Sequence, residues 1–437
     1  MVPLMIATAL NPLNSSSLAT ALTPIDREFN DPAGAAWLLA AVYLSAAIFL
    51  PVFGRTADMF GAKRTLIFGT VIVAIGGVMG AFAPNMSVLI VSRAVIGMGT
   101  SAGYPCAMAM LRARAQALGV TPPNRTLAFL SVSSHICGML GPPLGGFVLA
   151  LLGWRWIFLV NLPLALIGLL TMRALPADPP PRRVDISVID LPGMALFAGG
   201  IAAMTLFLMS VATRFDPWTL GISAAFLAAL VVYERRLADP FIDVRMLARN
   251  GALALVFLRQ TINGVMMYGL FYSIPQWMQA SKGLPPAQVG LMMLPYSMIG
   301  TITTFALARP KWAPARPFIN AFALLAVAGG MFLLQAGLPT PAASVFLGFC
   351  GMATAALGMW NQQSLLRHAP PDQTGAAAGL FRTTQYVGAM LAAVLIGMVM
   401  HRGADDGSMR LLALIYAPML LVVLALTAFD RPERHAA

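Results

Sequence analysis

Apolar runs long enough to cross a lipid bilayer follow one another along nearly the whole chain, and most charges sit in the short segments between them. A crossing helix needs about 20 predominantly apolar residues. Such runs lie at about 2–25, 34–53, 65–83, 86–111, 127–151 and 155–175. A linker containing Pro179-Pro180-Pro181-Arg182-Arg183 follows, then two further runs at about 191–211 and 217–233. Beyond the charged connector Glu234 to Asn250, six more lie at about 251–273, 286–307, 317–335, 341–363, 375–400 and 408–428. The pattern predicts an all-α integral membrane protein of fourteen spans, arranged six, two and six. Its expected divisions are 1–175, an N-terminal six-helix bundle; 176–234, a linker and two inserted transmembrane helices; and 235–437, a connector and a C-terminal six-helix bundle. Only 10% of residues are charged, against about a quarter in soluble domains, so a soluble globular fold is excluded.

Lys and Arg set the orientation, because cytoplasmic loops carry their excess. Taking the segment between the second and third runs as cytoplasmic places nineteen of the 28 basic residues on that side and six on the other. Both termini are then expected in the cytoplasm, with the chain multi-pass in a bacterial cytoplasmic (inner) membrane. The first run is read as a retained helix rather than a cleaved signal, since no basic segment precedes it. The net charge of +12 is dispersed between apolar runs, which argues against nucleic acid as a partner. Cys106, Cys137 and Cys350 lie inside apolar runs without metal-ligand spacing, so no metal site is expected.

Three basic residues, Arg93, Arg259 and Arg382, fall inside the runs, where no carboxylate is placed. A charge at membrane depth is costly and points to function. Arg259 opens a polar stripe with Gln260, Asn263, Tyr268, Tyr272 and Gln276; Arg382 is followed by Gln385 and Tyr386; the twelfth run ends in Asn361-Gln362-Gln363. These residues are candidates to line a translocation path, with snorkelling and interhelical hydrogen bonds as the structural alternative. The 28 methionines suit lipid-facing filler or an adaptable pocket wall.

Several motifs carry a resemblance. Gly54-Arg55-Thr56-Ala57-Asp58-Met59-Phe60-Gly61-Ala62-Lys63-Arg64 joins the second and third runs, Arg93-Ala94-Val95-Ile96-Gly97-Met98-Gly99 lies in the fourth, and Gly141-Pro142-Pro143-Leu144-Gly145-Gly146 lies in the fifth. Trp154-Arg155-Trp156 opens the sixth, and Trp37 and Tyr43 stand in the second. This ordered set resembles the fourteen-span drug:proton antiporter family of the major facilitator superfamily, of the multidrug efflux type. The resemblance implies the major facilitator fold, two six-helix bundles plus two extra helices. It also implies that Asp58 caps a helix of the other half while Lys63 and Arg64 anchor the loop, that Arg93 serves proton transfer, and that Gly141, Pro142, Gly145 and Gly146 form a bent, small-faced helix sealing the halves. The chain departs from the pattern at Thr56, Met59 and Ala62, at Cys137 in place of a glycine, and at Asn14, where an acid is usual. Asparagine cannot titrate, so His135 becomes the candidate proton carrier in the membrane interior, a neutral packing histidine being the alternative.

The expected function is secondary active export of small amphiphilic, drug-like compounds by proton antiport with alternating access. Substrate contacts are expected at Asn14, Trp37, Tyr43, Arg259, Gln260, Asn263, Tyr272, Asn361, Arg382 and Gln385, and proton coupling at Arg93 and His135. An alternative is an exporter or facilitator of an anionic metabolite, received by the three arginines without coupling through a first-span acid. The expected partners are a small-molecule substrate, protons and the lipid bilayer. A periplasmic adaptor and an outer-membrane channel are further candidates that leave no readable sequence signal. No cofactor is expected, the proton gradient being the energy source. Enzymatic function is disfavoured because His135, His368, His401 and His435 are scattered and no H-E-x-x-H or paired-acid motif occurs.

Overall fold

The structure, a computed structural model, describes residues 2–117, 124–176, 178, 190–210, 216–237, 244–309, 312, 315–369 and 374–429. These residues are helical throughout, apart from short turns and connections. The first half contains α1 (Val2–Leu18), α2 (Leu22–Phe29), α3 (Pro32–Phe60), α4 (Ala62–Ala81), α5 (Met86–Thr100), α6 (Gly103–Ala117), α7 (Asn124–Leu152), α8 (Arg155–Leu159) and α9 (Asn161–Met172). Between the halves come α10 (Leu191–Ser210), α11 (Pro217–Glu234) and the short α12 (Val244–Arg249). The second half contains α13 (Gly251–Ser281), α14 (Pro286–Met292), α15 (Leu294–Ala308), α16 (Arg316–Met331), α17 (Thr340–His368), α18 (Thr374–Met400) and α19 (Asp406–Phe429).

Helix starts coincide with side chains that satisfy otherwise orphaned N–H groups. Asp31 accepts from Gly34 N ahead of α3, Asn85 from Val88 N ahead of α5, and Asn250 from Leu253 N ahead of α13. Asp216 accepts from Trp218 N, with Pro217 opening α11. Asn30, in the left-handed conformation at φ 49°, ends α2 and turns the chain into α3.

Among the described residues nine helical stretches are long and apolar enough to cross a membrane, and four shorter apolar helices accompany them. The first run stands apart for a physical reason. It divides at Ala19–Ala21 into α1 and α2, and α1 carries Asn11, Pro12, Asn14 and Ser15 to Ser17. All of these but Pro12 are buried, packed by α7, α9 and α6 rather than by lipid.

One hydrophobic cluster spans both halves, running from Leu18, Leu38 and Tyr43 to Leu270, Tyr272, Met293 and Ile396. Lipid offers an apolar helix nothing worse than another helix does, so association in the bilayer depends on close backbone approach. The α13–α18 pair is built that way: a Cβ at Gly388 would lie 2.3 Å from Thr261 O, and one at Gly264 2.6 Å from Gln385 O. Between the halves, α10 and α11 pair with each other through Ser223 Oγ, which donates to Gly200 O at 2.8 Å, and α10 rests on both α3 and α18.

Substituting Gly388 by Val should therefore cost roughly 1–3 kcal/mol through overpacking against a backbone oxygen that cannot move aside. Gly221→Ala, where nothing lies within 4 Å of the added Cβ, should leave the thermal unfolding midpoint unchanged or slightly raised. Equal midpoints for the two purified variants would disprove the packing argument.

Candidate functional site

The deepest polar contact between the halves joins two tyrosines. Tyr43 lies about 16 Å along α3 at 1.5 Å per residue, near mid-membrane depth. Its hydroxyl is 2.7 Å from that of Tyr272 on α13, and Tyr272 also donates to Ser15 O of α1 at 3.0 Å. Around this bond the Tyr43 ring packs 4.6 Å from Tyr268 and 6.0 Å from Tyr386, so α3, α13 and α18 meet in one aromatic cluster. Trp37, half-buried, packs against the same apolar core.

Arg93 is 1% exposed and lies within electrostatic reach of both tyrosine hydroxyls. Its Nε donates to Leu38 O at 3.4 Å, while Nη2 is buried with no hydrogen-bond partner. A guanidinium so deep, with one donor unspent, suits an arriving acceptor. Asn14 is placed differently. It forms a reciprocal amide pair with Asn161 of α9, Asn161 Nδ2 donating to Asn14 Oδ1 at 2.8 Å, and so ties α1 to α9 within the first half.

In the second half the polar stripe divides by role. Arg259 Nη2 donates to Ser364 Oγ at 3.0 Å and Nη1 to Leu426 O at 3.4 Å, bracing α13 against α17 and α19. Next to it Asn361 Nδ2 donates to Gln260 Oε1 at 3.1 Å. Asn263 is 2% exposed, and its Oδ1 and the Oδ1 of Asn361 are buried acceptors without a donor. Arg382 reaches across the halves: its guanidinium lies 5.1 Å from the ring centroid of Tyr104 on α6 and donates to Gln385 Oε1 at 3.5 Å. Arg93, Tyr43, Tyr272 and Arg382 thus stand at the seam, whereas Arg259, Gln260 and Asn361 lie inside the second bundle.

The glycines of α7 work on two sides. A Cβ at Gly141 would collide with Ser16 Oγ and one at Gly145 would lie 2.4 Å from Ser17 O, so this face receives α1. Gly146 faces the other half, where an added Cβ would lie 2.5 Å from Pro286 O, and Gly290 of α14 returns the contact, an added Cβ there lying 2.4 Å from Pro142 O. Near the same end Gln279 Nε2 donates to Thr20 O at 3.0 Å and Gly397 meets Ala36. The seam is closed at the end that carries α2.

At the opposite end the loop between α3 and α4 is held by a residue that sequence reasoning missed. Asp178 accepts from Lys63 N at 3.0 Å and Arg64 N at 2.8 Å, capping α4, and Lys63 Nζ donates to Leu175 O at 2.7 Å. Gly61, at φ +102°, leaves the space Asp178 occupies, whereas a Cβ added at Gly54 would meet Pro105 at an ordinary 3.8 Å. The available signal was the position of Asp178, the first acid after the sixth apolar run. The side chains of Asp58 and His135 lie outside the described residues. Asn161, Thr20 and Gln279 were also missed, since single amides and hydroxyls have no distinguishing spacing. Among the described residues no group of three or more His, Cys, Asp or Glu could hold a metal ion.

Two helical bundles, a seam closed at one end and buried cations beside it define a membrane transporter. The chain belongs to the Major Facilitator Superfamily, whose family model matches residues 4–393. It is 31% identical to the MFS-type transporter YwoD of Bacillus subtilis (strain 168), covering 90% of this chain and 88% of that one. It is 28% identical to the puromycin resistance protein pur8 of Streptomyces alboniger, over 91% of this chain and 81% of the relative. Among solved structures the nucleoside transporter NupG superposes with a TM-score of 0.65 at 17% identity, covering 98% of this chain and 99% of that one, which places the fold.

Removing the cap should be measurable. Asp178→Ala is expected to cost roughly 0.5–2 kcal/mol of stability, whereas Asp178→Asn, which keeps an acceptor, should cost less. Indistinguishable melting curves for wild type and Asp178→Ala would dismiss the capping role.

Proposed function

We propose that the protein is a secondary active exporter of small amphiphilic compounds across the bacterial inner membrane, working by proton antiport and alternating access between its two halves. Fourteen crossings follow if α1 with α2, α5 with α6, α8 with α9, and α14 with α15 each form one span. With both termini cytoplasmic, the closed α2 end faces the periplasm, and alternating access then admits substrate from the opposite end. The observation that carries the reading is Arg93, a fully buried cation with an unspent donor beside the Tyr43–Tyr272 bond joining the halves. In a rocking mechanism that bond must break for the outer end to open. A substrate acceptor engaging Arg93 would favour the rearrangement by its differential affinity for the two states. Relatives named for resistance, such as the puromycin protein, support the outward direction.

The same arginine keeps a second reading in play, export or facilitated passage of an anionic metabolite. Arg382 at the seam supports it, whereas Arg259, bonded to Ser364 and Leu426, lies inside the second bundle.

Inverted vesicles acidified inside, challenged with cationic, neutral and anionic amphiphiles, separate these readings. Antiport predicts compound-dependent loss of the pH gradient, reduced by Arg93→Gln by roughly ten- to a hundredfold, the loss of a charge-assisted hydrogen bond of about 1.5–3 kcal/mol. Compound uptake with the gradient intact would exclude antiport. Loss of anion transport alone in Arg93→Gln would favour the metabolite reading.

A further inference from the structure

Where the two halves meet at the α2 end, one carboxylate has been drawn into the seam. Asp26 lies on α2, just beyond the first apolar run. It lines a recess of about 30 Å³, enough for a water molecule. Both halves build the walls, Ala36 and Leu39 from α3 facing Gln276 of α13 and Gly397 and His401 at the end of α18. The backbones close tightly there, since a Cβ on Gly397 would lie 2.5 Å from that of Ala36. Asp26 Oδ1 is buried without a hydrogen-bond partner. The residue as a whole is half-buried, so an ionised carboxylate left with Oδ1 unpaired there carries part of its desolvation penalty, whereas a protonated carboxyl does not.

We propose that Asp26 is a proton-binding group of the seam, and that its protonation stabilises the closed periplasmic end. This rests on the alternating-access reading and the orientation given above. Burial raises the Asp26 carboxyl above the usual carboxylate range, and the neighbouring Asp31 adds to the rise. Opening the seam hydrates the group and returns it toward an ordinary aspartate. The closed state therefore binds the proton more tightly, and lowering the periplasmic pH favours closure. Other charged groups nearby are accounted for. Asp31 is engaged as the cap of α3, and Glu28 of α2 is held by Arg155 and Trp154. Arg27 of α2 is exposed, Gln276 is neutral, and His401 at the end of α18 is exposed with Nδ1 2.7 Å from Met398 O.

For an exporter the sign is useful. Once substrate has left to the outside, a proton taken from the periplasm would draw the seam shut and return the cavity to the cytoplasm. The interior runs hold no carboxylate for this step, and Asp26 supplies one at the surface where protons arrive.

The test reads the gate directly. Spin labels at Ser87→Cys, exposed in the first turn of α5, and Gln335→Cys, exposed in the connection after α16, lie on opposite halves and are introduced after Cys106, Cys137 and Cys350 are replaced by Ser. Distances are then measured in nanodiscs between pH 8 and pH 5 without substrate. The wild-type background should shift toward the short distance as pH falls, by up to about tenfold in population per pKa unit separating the two states. Asp26→Asn, which mimics the protonated form, should stay short at every pH; Asp26→Glu and His401→Gln should retain the shift. A pH-insensitive wild-type distance, a response unchanged in Asp26→Asn, a response abolished in His401→Gln, or a shift that follows sodium at fixed pH would each overturn the proposal. Because no transport is measured, an intact shift in a protein that fails to exchange protons for compounds would refute antiport and leave the Asp26 proton site standing.

Discussion

In a bilayer an apolar helix gains little by exchanging lipid for another helix, so what holds this molecule together is contact between backbones. The places where backbones touch are glycines that could not be anything larger. Gly141 and Gly145 receive α1, Gly264 and Gly388 bring α13 and α18 together, and Gly146 and Gly290 join the halves through carbonyls of Pro286 and Pro142. The first two sets lie within a bundle or along its central pair, while the last lies at the seam. The same device therefore serves stable packing in one place and a separable contact in another. What differs is the company it keeps: the Gly146–Gly290 contact sits at the end where Thr20–Gln279 is the accompanying hydrogen bond, and few such bonds must be exchanged for water on opening.

Buried cations pose the complementary problem. The apolar runs that hold the three arginines contain no Asp or Glu, so neutral acceptors carry much of the load, and the two deepest arginines solve this differently. Arg259 spreads its donors over Ser364 Oγ and Leu426 O, which makes it a brace between three helices. Arg93 has one long bond to Leu38 O and otherwise only the electrostatic company of two tyrosine hydroxyls. The desolvation cost of Arg93 is thus less fully offset by the protein, and the shortfall falls at the seam. Arg382 settles on the face of Tyr104, a contact between halves that needs no anion.

Much of this was legible in the sequence. Periodic apolar runs gave helices because twenty-residue hydrophobicity leaves a chain few other choices, and the Gly-Pro-Pro-Leu-Gly-Gly segment announced a close-packing helix because no other residue type permits that approach. The division of the first run into α1 and α2 was not legible, since Ala19–Ala21 carries no helix breaker and the break follows from tertiary packing. Nor was the use of Asn14. Its partner Asn161 lies 147 residues away in the chain, and only the fold brings the two amides together. Sequence also identified the right loop between α3 and α4 while overlooking Asp178, because a capping acid supplied from 115 residues downstream leaves no local pattern.

The Tyr43–Tyr272 bond and the Asp26 recess lie on the same seam, one near mid-depth and one at its outer edge, and the helices that carry them overlap. Tyr43 and Leu39 are both on α3; Tyr272 and Gln276 are one turn apart on α13. A movement of one half that separates the tyrosines also acts on the recess, because Leu39 and Tyr43 share one continuous stretch of α3 and Tyr272 and Gln276 are successive turns of α13, with Pro275 between them. Substrate engaging Arg93 beside the tyrosines and a proton engaging Asp26 nearer the α2 end would then act on one coordinate with opposite sign. That is antagonistic linkage: two ligands need not meet in one pocket to oppose one another if each binds preferentially to a different position of the same rigid halves.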